Sequence, residues 1–199
     1  MSSTNTLSAG FTDPVNQAQR AFRRVLTALS RPGLRQSIGS PVSGIGLQPA
    51  MAHLLLTLTD DDTPVWWQHQ DAITTQWLRF HTSASTTNVM NEATFGVITA
   101  AATMPALDSF PPGSGASPEF STTLLIEVPS LDDGPLIEWR GPGILDTHGA
   151  RIAGLPATFW TQWQANHAMF PQGVDVLFCC QDQVIGLPRT TRVRRLEGV

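Results

Sequence analysis

Lysine is absent from this sequence: all 12 basic residues among its 199 positions are arginine. Without an ε-amine no internal Schiff base can form, so pyridoxal-phosphate catalysis, lysine-aldolase chemistry and the phosphate lysine of a P-loop are ruled out. Cysteine is scarce. Cys179 and Cys180 are the only two and are adjacent, a spacing too strained for an ordinary disulfide and unlike a zinc-ligand pattern; they read as small apolar residues of a buried strand. Charge is low as well, at 14% of residues with a formal net charge of -4, which gives no general attraction to nucleic acid or to an anionic membrane. No segment approaches the roughly 20 apolar residues of a membrane span, and MSSTNTLSAG lacks the basic and apolar regions of a secretion signal. A cytoplasmic location is expected, with a small ligand or a protein as partner. The five histidines, His53, His69, His81, His148 and His167, show no paired metal-binding spacing, and neither a nucleophile elbow nor a dinucleotide fingerprint occurs.

What is present is a succession of short α and β signals. Asp13-Pro14 reads as an N-cap followed by proline at the first helical position. Val15, Ala18, Phe22, Val25, Leu26 and Leu29 then recur at helical spacing and are expected to face the core, opposite Arg20, Arg23, Arg24 and Thr27. A loop from Gly39 to Gly46 leads to a buried helix, PAMAHLLLTL. Asp60-Asp61-Asp62 follows, either as a carboxylate cluster for a metal or as a helix-to-strand junction. The junction is preferred, because aspartates bond nearby backbone N–H groups. TPVWW is a predicted strand, DAITTQW a short helix leading into a strand LRFHT, and ATFGVIT a further strand. STTLLIEV and PLIEWRG flank Leu131-Asp132-Asp133-Gly134 as a predicted β-hairpin, and VDVLFCC and VIGLP flank Gln181-Asp182-Gln183 as a second. Between them Pro156 opens a helix with Phe159, Trp160 and Trp163 as its apolar stripe. FPPGSGASPE is either a mobile lid or a plain surface connection. The expected fold is a single α/β domain over residues 13–199, a mixed β-sheet covered by helices, with residues 1–12 disordered or extended.

Candidate binding chemistry rests on the guanidinium fork, which grips phosphate or carboxylate bidentately. On a strand, Arg79 and His81 would share one face, as an anion site or merely as a solvated pair. GLPRTTRVRR places Arg189 beside the hydroxyls of Thr190 and Thr191, with Arg192 and Arg194 following. Gly141-Pro142-Gly143 either lets the backbone approach a ligand or turns the chain. Trp66, Trp67, Trp77, Trp160 and Trp163 are core residues or anchors for a partner. No catalytic residue and no metal site is assigned.

The run QAQRAFRRVLTALSRPG, then LLTLTDDDTPVW, LRFHT, ATFGV, GPGI, FPQGVDVLF and LPRTTRV, in this order and spacing, resembles the PhnH subunit family of the bacterial carbon-phosphorus lyase system, from about Val15 to Val193. The resemblance implies a cytoplasmic protein of phosphonate catabolism that joins a core complex with the G, I and J subunits and forms a homodimer when isolated. It implies a share in replacing the adenine of ATP by an alkylphosphonate at the ribose C1 carbon, giving a ribose 1-phosphonate 5-triphosphate. It further implies a fold resembling the large domain of pyridoxal-phosphate-dependent transferases. Without a lysine, that fold cannot use this cofactor in the usual way. Arg79, His81, Arg189, Thr190 and Thr191 are the candidates for contacting a phosphonate, a nucleotide or a partner surface. Two functions stand against each other: a structural or ligand-binding subunit without independent activity, and a self-sufficient enzyme acting on a phosphonate or phosphorylated substrate through an arginine site.

Overall fold

The first helix begins where Asp13-Pro14 places it. Asp13 Oδ1 accepts the Asn16 N–H at 3.4 Å, proline stands in the first turn, and α1 runs Pro14–Ser30. Its packed face differs from the expected stripe, because Ala21, Val25 and Ala28 are buried whereas Val15, Phe22 and Leu26 are exposed. The cause is close approach: a Cβ on Gly186 would lie 2.6 Å from the carbonyl oxygen of Ala28. A helix seated that tightly on a strand admits only small or compact side chains at the contact and turns the larger ones outward. By helical geometry Arg20 and Arg24, one turn apart, flank the packed face on the side away from Phe22 and Leu26.

The computed structural model describes residues 8–196. After α1 come β1 (Gln36–Ser37), α2 (Pro49–Leu58), β2 (Val65–Trp67), α3 (Ala72–Thr82), β3 (Thr86–Thr87) and β4 (Phe95–Ile98). Then follow β5 (Thr123–Glu127), β6 (Leu136–Arg140), β7 (His148–Arg151), α4 (Phe159–Ala168), β8 (Asp175–Cys180), β9 (Gln183–Leu187) and β10 (Arg192–Arg195). Seven strands form one sheet in the order β1-β9-β8-β5-β4-β2-β3, and three form a second, β10-β6-β7. In the larger sheet β3, β2, β4, β5 and β8 are parallel, while β9 and β1 extend one edge with antiparallel pairs. The mixed α/β class is as expected.

Side-chain alternation along the sheet separates two cores. Val65, Trp67, Val97, Leu125, Leu177, Cys179 and Val184 pack with α1, α2 and α3. Their neighbours Trp66, Ile98, Leu124, Ile126, Val176, Phe178 and Ile185 face the other way, toward α4 and the inner face of the small sheet. All six tryptophans are buried in these cores, which settles them as packing residues. Cys179 is fully enclosed, and burial pushes its thiol well above the ordinary range.

Two predicted elements are corrected. LRFHT is no strand but the end of α3, whose N-cap Asp71 accepts the Thr74 N–H at 2.8 Å and whose buried Thr74, Trp77 and Leu78 keep helical spacing to the last turn. Five alternating residues mimicked a strand because the helix buries its apolar residues upstream and ends on polar ones. STTLLIEV and PLIEWRG do not form a hairpin either. β5 is sandwiched between β4 and β8, buried on both faces, whereas β6 alternates and pairs with β7 and β10 in the other sheet. Leu131, at the supposed tip, is buried in the core, so the segment is a crossing between sheets. Gly134 nonetheless holds φ +99°, which its place in the turn demands. The second hairpin, β8 to β9, stands as predicted.

The aspartates form a junction between α2 and β2. Asp60 Oδ1 accepts the Asp62 N–H at 3.2 Å and the Asp60 N–H donates to Thr63 Oγ1 at 2.7 Å, so the run closes a turn. Among the described residues no three or more histidine, cysteine or acidic side chains gather into a metal-holding group. FPPGSGASPE is fastened to the body: Gly173 N–H donates to the Pro112 carbonyl at 2.8 Å and Gln172 Nε2 to that of Gly113 at 3.1 Å. The GPG turn makes its close approach to the protein itself, since a Cβ on Gly143 would overlap the carbonyl of Ser30 at the end of α1. No helix among the described residues is long and apolar enough to cross a membrane.

Candidate functional site

The five candidate residues do not converge. Arg79 and His81, two apart on a helix, point to different sides of α3. Arg79 borders a polar cavity of about 530 Å³ whose wall includes Thr75, Gln76, Ser83, Ser85 and Thr86. His81 turns instead to the N-terminal segment, its Nε2 lying 3.0 Å from the carbonyl oxygen of Ser8. Both also complement the negative end of the α3 dipole in its last turn.

Arg189 is engaged by the protein around it. Its Nε lies 3.2 Å from each carboxylate oxygen of Asp175, its Nη1 donates to the carbonyls of Pro118 (2.9 Å) and Pro171 (3.4 Å), and its Nη2 donates to Ser121 Oγ. Its backbone N–H also reaches Asp175 Oδ1, at 2.7 Å. Ion pair and carbonyls together staple the loop before β5 and the turn after α4 to the first residue of β8. No donor is left facing outward in the way an anion site requires. Thr191 is buried: its carbonyl accepts the Trp163 indole N–H at 2.9 Å, and its Oγ1 has no partner among the described residues. Thr190 is half-buried beside Gly141, where a Cβ would meet the Thr190 carbonyl at 2.9 Å. Next to them His167 Nε2 accepts from Arg192 Nε at 3.3 Å, so Nδ1 carries the proton and donates to the Arg189 carbonyl at 2.8 Å. The LPRTT segment is therefore a structural knot.

Two features passed unmarked in the sequence. The first is Glu127, the last residue of β5, at the carboxyl end of the parallel strands, where open α/β sheets place ligands. Its Oε1 accepts the Gln48 N–H at the start of α2 at 2.7 Å, and Gln48 Oε1 accepts in turn from the Gln181 N–H at 2.6 Å. Burial raises its carboxyl to about 7 in spite of that N–H. A lone glutamate ending an apolar run gives no sequence signal of this kind. The second is a cleft of about 320 Å³ between α1 and the β1 loop, lined by Arg20, Arg24 and His53. Its arginines stood in the sequence as the exposed face of a helix, and only the tertiary fold sets His53 of α2 opposite them.

The architecture is thus an α/β protein with dispersed arginine sites and its LPRTT segment turned inward. A family model described as bacterial phosphonate metabolism protein (PhnH) matches residues 9–194. The chain is 36% identical over 193 residues to the alpha-D-ribose 1-methylphosphonate 5-triphosphate synthase subunit PhnH of Rhizobium meliloti (strain 1021), covering 94% of this chain and 96% of that protein. It is 29% identical over 184 residues to HtxG of Stutzerimonas stutzeri, provisionally named a C-P lyase subunit protein, covering 90% and 87% respectively. The chain belongs to the PhnH family.

Proposed function

We propose that this chain is a subunit of a carbon-phosphorus lyase core complex that acts in the cytoplasm in phosphonate catabolism, contributing with G, I and J subunits to formation of ribose 1-phosphonate 5-triphosphate from ATP and an alkylphosphonate. It works as a structural or ligand-binding member, pairs with a second copy of itself when isolated, and has no turnover alone. The observation that carries this reading is the dispersal of the candidate residues: Arg79 borders one cavity, His81 faces the N-terminal segment and Arg189 is held by Asp175 and backbone carbonyls. A self-sufficient enzyme needs its polar groups gathered on one substrate. The naming of its relatives as complex subunits supports the same reading. Exposed large apolar side chains, among them Phe22, Leu26, Phe80, Phe120 and Phe170, supply surface of the kind that partners cover.

Its sheet, five parallel strands with an antiparallel edge, is the scaffold we assign to the large domain of pyridoxal-phosphate-dependent transferases. The complete lack of lysine supports a role for that scaffold without the cofactor's Schiff base. Coexpression with G, I and J subunits and purification through a tag on one of them tests the assignment. This chain is expected to copurify stoichiometrically and to show no consumption of ATP and methylphosphonate by itself. Failure to copurify, or turnover by the isolated chain, would reject it.

A further inference from the structure

Four of the twelve arginines meet a carboxylate: Arg35 pairs with Asp132, Arg140 and Arg194 with Glu138, and Arg189 with Asp175. Arg20 and Arg24 do not. They stand one turn apart on α1, with about 5 to 6 Å between Cβ atoms at that spacing, where like charges repel and destabilise a helix. Arg24 reaches over the cleft wall to Gln36 Oε1 at 3.2 Å, a neutral acceptor that leaves its charge uncompensated. No carboxylate lines the cleft. Asp182 lies behind its wall, accepting from Ser37 Oγ at 2.5 Å.

The opposite wall is built. His53 is buried in α2, and its Nε2 accepts the Ser40 N–H at 3.2 Å, so the proton resides on Nδ1. Burial also lowers its pKa, which keeps the ring a neutral donor at ordinary pH. The ring is clamped from two sides: Phe11 meets it edge-on at 5.0 Å, and Gly39, at φ +99°, brings the loop so near that a Cβ would lie 3.1 Å from the imidazole. At His53 and Ser40 the cleft meets a second cavity of about 230 Å³, walled by Phe11, Pro41 and Val42. One part is thus cationic with a hydroxyl and an imidazole in its wall, and the adjoining part sets Phe11, Pro41 and Val42 among Ser8, Thr12 and Ser43. Together they reach the size range of small-molecule sites.

We infer that the cleft between α1 and the β1 loop binds a phosphorylated organic anion, with Arg20 and Arg24 holding adjacent phosphoryl groups and the Phe11 cavity receiving the organic portion. Spacing selects the class, because two guanidinium groups one helical turn apart match neighbouring groups of an oligophosphate better than a single carboxylate. The inference rests on charge and shape in the isolated chain and is independent of complex assembly.

Calorimetric titration of the purified chain with inorganic triphosphate and with ATP, at low ionic strength, tests it. Both are expected to bind, ATP more tightly because the organic cavity is filled, and the double variant Arg20→Gln/Arg24→Gln is expected to raise Kd at least tenfold for both. Arg79→Gln, in a separate arginine-lined cavity, should change Kd less than twofold, and circular dichroism should show both variants folded. Phe11→Ala should weaken ATP while leaving triphosphate unchanged. Absence of binding to the wild-type chain, binding retained by the double variant, or loss confined to Arg79→Gln would each overturn the site.

Discussion

Arg189 and the Arg20/Arg24 pair are the same chemistry in opposite circumstances. At Arg189 an aspartate, a hydroxyl and two carbonyls saturate the guanidinium, with its side chain only 13% exposed. At Arg20 and Arg24 the surroundings supply one neutral amide and a donor-bearing imidazole wall. The sequence around Arg189, with two threonines following, looked the more like a phosphate site. The difference teaches that an arginine's availability is set by what the fold brings opposite it, since a saturated fork has nothing further to donate.

The contrast can be broken most forcefully at Arg189. Arg189→Ala leaves Asp175 as an unpaired, largely buried carboxylate and frees both loops, so a loss of about 3 to 5 kcal/mol in urea unfolding is expected. Glu127 comes next and separates by pH. Its carboxyl is raised from 4.5 to about 7 in the folded chain, so the folded state holds the proton more tightly. Stability is then greatest below the unfolded value and falls as pH rises toward 7, by about 3 kcal/mol in all. Glu127→Gln retains the acceptor for the Gln48 N–H and should flatten this slope, leaving the variant the more stable at pH 8. Trp163→Phe removes the indole donor to the Thr191 carbonyl and should cost about 2 kcal/mol in the same assay. Arg20→Gln/Arg24→Gln should stay within about 0.5 kcal/mol of the parent chain, as exposed substitutions do, and relief of like-charge repulsion favours a small gain.

The sequence carried the fold further than the site. Asp13-Pro14, the aspartate junction and the β8–β9 turn were legible because capping, turn and hairpin chemistry is local. Where partners were distant the reading failed. The burial of Ala21 and Ala28 in place of Phe22 and Leu26 depends on Gly186, far along the chain. The separation of β5 from β6 depends on a central parallel position that a neighbouring Asp-Gly cannot reveal. Arg79 and His81 lost their common face when α3 ran to Thr82. The arginines of α1 were visible as a polar face, but the pairing of that face with His53 across a cleft is a tertiary fact.

The central claim, that Arg189 builds the protein while Arg20 and Arg24 face a ligand, is tested most directly by thermal unfolding with and without inorganic triphosphate at tenfold its Kd. The parent chain should gain about 3 to 6 °C. Arg20→Gln/Arg24→Gln should keep the parent's ligand-free midpoint and lose that gain, while Arg189→Ala should drop in midpoint and keep it. An Arg189→Ala protein as stable as the parent but unresponsive to triphosphate would contradict the account.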